Sequence, residues 1–227
     1  MYWHYYTNQT VATSSNSQFW GLFLGAFFAF IFGLIMDYLI KRRDRFKEHW
    51  NSLVHLDRLL NNHIDAIGTV KTTGDTIVRI LKDGALVGSR FIKFKEIDPI
   101  FLKLADIELV NKYFSYNLSI GRFNEDFSMI DRALTRFEDT FLAGKVVDKT
   151  SNDFLISSWE DVLLGKLDDL RSDALDLLAR VRLSLEMTKD RGYIYEIFGD
   201  WKELYFSHEE VDREKGKIEA EISQGVN

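Results

Sequence analysis

Cysteine is absent from the 227 residues, which excludes disulfides, thiol nucleophiles, zinc ribbons and cysteine-held iron–sulfur clusters. Proline occurs once, at Pro99. Because proline breaks helix interiors, that scarcity predicts long uninterrupted helices. Residues 1–18 carry no Lys, Arg, Asp or Glu, and residues 19–36 carry none either. The Walker-type phosphate loop, the dinucleotide-binding glycine fingerprint and the nucleophile elbow are also missing. These absences leave no catalytic residue, cofactor or metal to assign, and they direct the reading toward binding or architecture and away from an enzyme.

What is present is a long apolar run. Phe19 to Met36 are 18 uncharged residues, about 27 Å of helix at roughly 1.5 Å per residue, close to the hydrocarbon thickness of a bilayer. Eleven of them are Phe, Leu or Ile, which at about −0.3 to −0.6 kcal/mol each favour insertion by some −3 to −7 kcal/mol. Asp37 follows the run near its end, where the penalty for an acid is smaller than at the bilayer centre. Residues 18–40 are therefore expected to be a transmembrane helix.

Orientation follows from charge. Lys41, Arg42, Arg43, Arg45 and Lys47 come directly after the span, so the positive-inside rule places the C-terminal side in the cytoplasm. A signal peptide would carry its positive charge before the apolar run and a small-residue cleavage site after it. Here the order is reversed, which predicts an uncleaved single-pass anchor in a plasma or bacterial inner membrane with the N-terminus outside.

The faces of the predicted span differ. Gly21, Gly25, Ala29 and Gly33 recur every four residues, and small residues at that spacing let a second helix backbone approach closely. Phe19, Phe23, Phe27, Ile31 and Ile35 lie roughly opposite. The pattern predicts a homo-oligomer associating through the small face, which Asp37 continues. Asp37 also precedes Lys41 by four residues, a favourable geometry for an ion pair; a proton or ion site is the sharper alternative for an acid near a membrane.

The net charge of −6 is uneven: +3 over residues 41–50 and −8 over residues 51–227. The basic cluster suits anionic lipid headgroups, whereas the acidic remainder would be repelled by a phosphate backbone. The expected partners are the lipid bilayer, further copies of the chain and a protein, and not nucleic acid.

Beyond the anchor the expected class is all-α, a helical stalk and a long-helix bundle with at most one short β segment. Residues 1–17 form an external tail, aromatic first and then rich in Ser, Thr and Asn. Residues 41–83 form the basic juxtamembrane segment and stalk, with Phe46, Trp50, Leu53, Leu60, Ile64 and Ile67 on a coiled-coil-like seam interrupted by Asp57. Gly68 and Gly74 are expected to weaken that helix.

Residues 84–206 form the bundle domain. Within it, 91–97 read as a short strand or extended connector, and a helix from about Asp106 to Ala143 carries Phe123, Phe127, Ile130, Leu134, Phe137 and Phe141, ending at Gly144. Asn117, Gly121 and Asn124 interrupt its apolar face, marking close packing or a polar layer. A further helix, from about Asp153 to Asp190, carries Trp159, Val162, Leu170, Ala174, Leu177, Val181, Leu185 and Thr188, with Gly192 as its stop. The aromatic segment 193–206 is expected to dock on the bundle or pair with 91–97. Residues 207–227 form a polar helix opened by a Ser207/Glu210 capping box, with a tail from Gly216 that has too little apolar surface to be held down.

Three clusters carry residue types that could do chemistry. His49, His55 and His63 share one helix at spacings of six and eight, unlike metal-binding histidine pairs, and read as seam or solvent histidines. Asp168, Asp169, Asp173 and Asp176 flank the apolar stripe among arginines and read as a solvated face. Asp148, Asn152 and Asp153 lack the glycine and terminal Glu of a calcium loop. The function expected is an oligomeric scaffold or protein-interaction module at the cytoplasmic membrane face. The alternative is an effector whose membrane helix oligomerises and perturbs the bilayer on a signal from the cytoplasmic domain.

Overall fold

The computed structural model describes residues 11–83, 85, 93–97, 107–144, 149–198 and 206–225, with the backbone alone for 11–17, 149 and 190–198. The described residues are all-α and contain no strand. Five α-helices follow one another: α1 Val11–Lys82, α2 Ile107–Leu142, α3 Lys149–Ser157, α4 Leu164–Phe198 and α5 His208–Gly225, with a π-helical segment, Ser158–Leu163, between α3 and α4. The chain divides into two compact units, Met1–Lys47 and Glu48–Asn227.

In the first unit the residues from Gln18 to Ile40 are helical and almost all exposed, with Phe19, Phe23, Phe28, Phe30 and Phe32 all open. Among the described residues one helix is long and apolar enough to cross a membrane. Its most apolar 18-residue window has a mean hydropathy of 2.3, and none of that window is buried.

The second unit is a helical bundle. Residues 48–82 of α1, expected as a stalk, supply much of its core: Leu53, Leu56, Leu60, Ile64, Ile67, Val70, Ile77 and Leu81 are buried. Leu56 takes the seam position beside Asp57, which is only half-buried and bonds Arg182 instead. Phe46 and Trp50 are half-buried. Contrary to expectation, Gly68 and Gly74 do not weaken the helix, which runs through both to Lys82. Burial of the seam on either side outweighs the roughly 1 kcal/mol that each glycine costs a helix.

On α2 the buried stripe is Leu109, Tyr113, Tyr116, Ile120, Phe123, Phe127, Ile130, Leu134 and Phe137. From Tyr113 onward its steps alternate three and four, as one helix face requires. Phe141, expected to continue the stripe, is exposed one residue before the helix ends. Gly144 has φ +66°, the left-handed conformation that glycine adopts at helix C-termini.

The stretch from α3 to α4 shows why the π segment exists. The buried residues are Leu155, Trp159, Leu163, Leu167 and Leu170, three steps of four followed by one of three. On an α-helix each step of four overshoots the face by about 40°. A π turn, bonded from i to i+5, is wider and absorbs the overshoot. The predicted apolar face placed Val162 inward; it is 46% exposed, and Leu163 is the buried neighbour at 0%. Gly192 does not stop α4, which reaches Phe198. The expected docking of 193–206 falls mostly outside the described residues.

Helix α5 begins with the expected capping box: Glu210 N donates to Ser207 Oγ at 3.3 Å, and Ser207 N donates to Glu210 Oε2 at 2.9 Å. The residues after Gly216, expected to be loose, are instead helical to Gly225 and packed. Val211 and Ile218 enter the core, Ile222 leans on it, and Glu221 accepts a bond from Arg182 at 2.6 Å. Three apolar side chains spaced at seven and four suffice to seat a short helix on a ready-made surface.

Candidate functional site

Each expected membrane-face residue has a definite place. Gly21, Gly25 and Gly33 have open space where a side chain would start, and Ala29 is exposed. Their four-residue spacing on one helix puts them on one side. Asp37 accepts a bond from Lys41 Nζ at 2.7 Å, and both side chains are exposed. The ion pair expected from the four-residue spacing is thus formed. Arg42 Nη1 donates to Tyr38 OH at 2.8 Å, with its guanidinium 5.9 Å from the ring centre. Arg43 lies 3.5 Å from Asp44, while Arg45 and Lys47 are exposed. Lys41, Arg42 and Arg43 therefore turn their charge to neighbours on their own helix, and such exposed pairs contribute about 1 kcal/mol or less each.

In the second unit the residues that interrupt the α2 stripe form a clamp. Asn124 Oδ1 accepts a bond from Phe94 N at 3.0 Å, and its Nδ2 donates to Phe94 O at 2.8 Å. Asn117 repeats the pattern on Ile97: Oδ1 accepts from Ile97 N at 3.1 Å and Nδ2 donates to Ile97 O at 2.7 Å. Tyr113 OH donates to the same carbonyl.

The two asparagines are seven residues apart, about 10.5 Å along α2. Residues 94 and 97 span that distance in three steps, which requires about 3.5 Å per residue, a fully extended chain running antiparallel to α2. Of the two alternatives the sequence pattern left open, close packing or a polar layer, Asn117 and Asn124 form a polar layer, and its role is to satisfy the main chain of a segment that has no strand beside it among the described residues. Phe94 and Ile97 point inward and are buried, whereas Lys93, Lys95 and Glu96 are exposed. Phe94 packs against Phe123 at 5.4 Å between ring centres.

Between this segment and α1 lies a cavity of about 600 Å³, walled on one side by Asn51, Ser52, His55, Leu59 and His63 and on the other by Lys95, Glu96 and Ile97. His63 Nδ1 is 3.1 Å from Tyr116 OH. Burial lowers the His63 pKa below its ordinary 6.5, so the ring is neutral at physiological pH. Burial, helped by the charge of Asp173, pushes the Tyr116 hydroxyl far above its usual range, so it stays protonated. Size and a mainly apolar lining with a few polar groups are those of a ligand cleft. Of the three stalk histidines, His55 and His63 thus share a cavity, while His49 is buried apart from it.

Three of the four acids of the run on α4 bond other helices, and Asp169 is exposed. Asp168 bonds Lys71 of α1 at 3.0 Å, Asp173 accepts from Ser119 of α2 at 3.3 Å, and Asp176 lies 3.2 Å from both Lys112 and Arg180. Arg180, 6% exposed at its side chain, also bonds Glu108 at 2.5 Å. Among the described residues no three His, Asp or Glu side chains converge as metal ligands. Asn152 donates to Leu81 O at 3.1 Å, satisfying a carbonyl in the last turn of α1, and Asp153 is exposed; Asp148 lies outside the described residues.

Compared with protein-family profiles, curated proteins and solved structures, the chain matches none.

Proposed function

We propose that this chain is a single-pass membrane protein that displays residues 48–227 on the cytoplasmic face as a helical interaction module and self-associates through Gly21, Gly25, Ala29 and Gly33. The observation that carries the reading is the 18-residue window of mean hydropathy 2.3, none of it buried against the rest of the chain. Apolar surface on that scale requires a cover, at about 25 cal/mol per Å² of exposure avoided, and a bilayer supplies one along the whole length of the run. Lys41 to Lys47 then sit among anionic headgroups, with the N-terminal tail outside. Either a plasma or a bacterial inner membrane fits that charge order.

Binding is favoured over catalysis because the charged groups on α4 that could have formed a reactive cluster are instead engaged between helices. The experiment is a topology map on the cysteine-free background. Ser14→Cys should react with a membrane-impermeant maleimide on intact cells and Ser223→Cys only after permeabilisation. The opposite pattern, or release of the chain by alkaline carbonate, would overturn the proposal.

A further inference from the structure

The main chain of segment 93–97 is bonded on one side only. Among the described residues, every hydrogen bond made by the main chain of Phe94 and Ile97 goes to Asn117, Asn124 or Tyr113 of α2. None reaches α1. On that side the segment faces the cleft of about 600 Å³ instead. There Asn51, His55, Leu59 and His63 follow one another at steps of four, an inclined stripe about 18 Å long. Spread over that length, the cleft is a narrow trough.

Two lining groups have donors with nothing to receive them. Lys95 is exposed and has neither an ion pair nor a hydrogen bond among the described residues. His63 is the second. Tyr116 is 1% exposed, and His63 Nδ1, at 3.1 Å, is the hydrogen-bond partner of its hydroxyl among the described residues. A buried hydroxyl proton takes an acceptor that lies within reach, so Tyr116 donates to Nδ1 and the imidazole carries its own proton on Nε2. Burial keeps that ring uncharged at neutral pH, as an accepting Nδ1 requires. Nε2–H is left without an acceptor among the described residues. Glu96, the acid in this lining, sets its Oε1 over Gly121 of α2, 3.6 Å from where a Cβ would start.

We propose that the trough between α1 and residues 95–97 binds an apolar monocarboxylate, an aryl or acyl acid, with its carboxylate held by Lys95 and His63 and its body laid along Leu59 and Ile97. A mainly apolar lining with a few placed polar groups suits such a ligand. The flexible stem of Lys95 lets the ammonium follow the carboxylate. One ammonium and one neutral N–H match a single negative charge, whereas the double charge of a phosphate meets too few cations here and the repulsion of Glu96. The bound acid joins the segment to α1, the helix with which its main chain makes no bond, and so stabilises the segment by linkage. This goes beyond the membrane reading and does not depend on it, since every residue named lies in the second unit.

The test uses the full chain in bilayer nanodiscs at neutral pH, with amide exchange followed at Phe94 and Ile97. The probes are phenylpropionate, its neutral carboxamide, phenylpropylamine, and decanoate as an acid that enters from the bilayer. An acid should slow exchange at both sites several-fold, and the carboxamide and the amine should not. Slowing by phenylpropionate assigns the acid to solution; slowing by decanoate alone assigns it to the bilayer. Lys95→Met should remove most of the protection and Lys95→Arg should keep it. Lys95 is exposed and unpaired, so the ligand-free exchange of both variants should equal that of the parent chain, which separates lost binding from lost structure. Equal protection by the carboxamide, protection that survives Lys95→Met, or no protection by either acid overturns the proposal.

Discussion

Trp159 occupies the space in which a side chain on residue 74 would sit. A Cβ built on Gly74 would come within 1.8 Å of the indole ring, and the indole Nε1 donates to Asp75 Oδ1 at 3.1 Å. The ring is thus laid flat on one turn of α1 and pinned by the next residue. That explains why a glycine interrupts the seam of a helix that does not end there, and why the π segment, which turns Trp159 inward, lies opposite.

Gly74→Ala should accordingly destabilise the bundle even though alanine is the better helix former. Forcing the indole out of its seat costs about 1–3 kcal/mol as overpacking, which exceeds the roughly 1 kcal/mol gained in propensity. Gly68→Ala is the matched control, because open space surrounds that position and the residue is exposed. It should stabilise by about 0.5–1 kcal/mol. Urea unfolding of the full chain in detergent, followed by circular dichroism, should move the two midpoints in opposite directions; a stabilised Gly74→Ala would contradict the packing.

Removing one arm of the clamp should free its end of the segment. Asn124→Ala leaves the main-chain N–H and C=O of Phe94 without their partners, at about 1–3 kcal/mol for each group that stays buried and unpaired. Amide exchange should therefore accelerate at Phe94 far more than at Ile97, and Asn117→Ala should reverse the order. Uniform acceleration at both sites in both variants would mean that the segment is not held at two separate points.

These two relationships also mark what the sequence could disclose. The α2 stripe, its glycine stop and the Ser207/Glu210 cap were legible because each is a local rule, a period or a fixed spacing, that tertiary packing left intact. Asn117 and Asn124 were visible as an interruption, but their partner was not, since nothing in the pattern of 91–97 says which helix it will lie against. A period of 3.6 does not give the inward turn at Leu163, because the steps of four from Leu155 to Leu167 belong to a π turn. The tail after Gly216 was misjudged by its own polarity, when the surface that receives Ile218 belongs to the rest of the bundle. The same lesson applies to Asp57, an apparent flaw in the seam that pairs with Arg182 at 3.3 Å, while Arg182 reaches Glu221 and so ties α1, α4 and α5.

The burial of His63 should make stability depend on pH. Burial lowers the His63 pKa in the folded state, so between that value and the ordinary 6.5 the unfolded chain binds more protons than the folded one. Stability is then complete above pH 6.5 and is lost as pH falls from there through the folded-state pKa. Asp176 acts lower on the scale. Burial works to raise its pKa, but Lys112 and Arg180 outweigh burial and hold it below 3.8, so its contribution is present above pH 3.8 and disappears only as pH falls through the folded-state value. The urea midpoint of the full chain should fall between pH 7.5 and 5.5, and His63→Gln should flatten that interval while leaving the loss below pH 3.8 in place. A His63→Gln variant with an unaltered profile between pH 7.5 and 5.5 would assign the dependence elsewhere.

The small face of the proposed membrane helix gives the prediction on which the oligomer reading turns. With no water to exclude in the bilayer, association depends on how closely two backbones can pack, and open space at Gly21, Gly25 and Gly33 allows close approach. Gly25→Leu combined with Ala29→Leu fills the middle of that face without changing hydropathy enough to impair insertion. Self-association should drop several-fold in a membrane dimerisation assay at equal expression. Phe23→Leu with Phe27→Leu, on the bulky side where Phe23 and Phe27 stack at 6.5 Å, should change it little. If both pairs weaken association equally, the contact does not discriminate between faces, and the small-residue stripe is merely the composition of a membrane helix; if only the first does, the stripe is the interface.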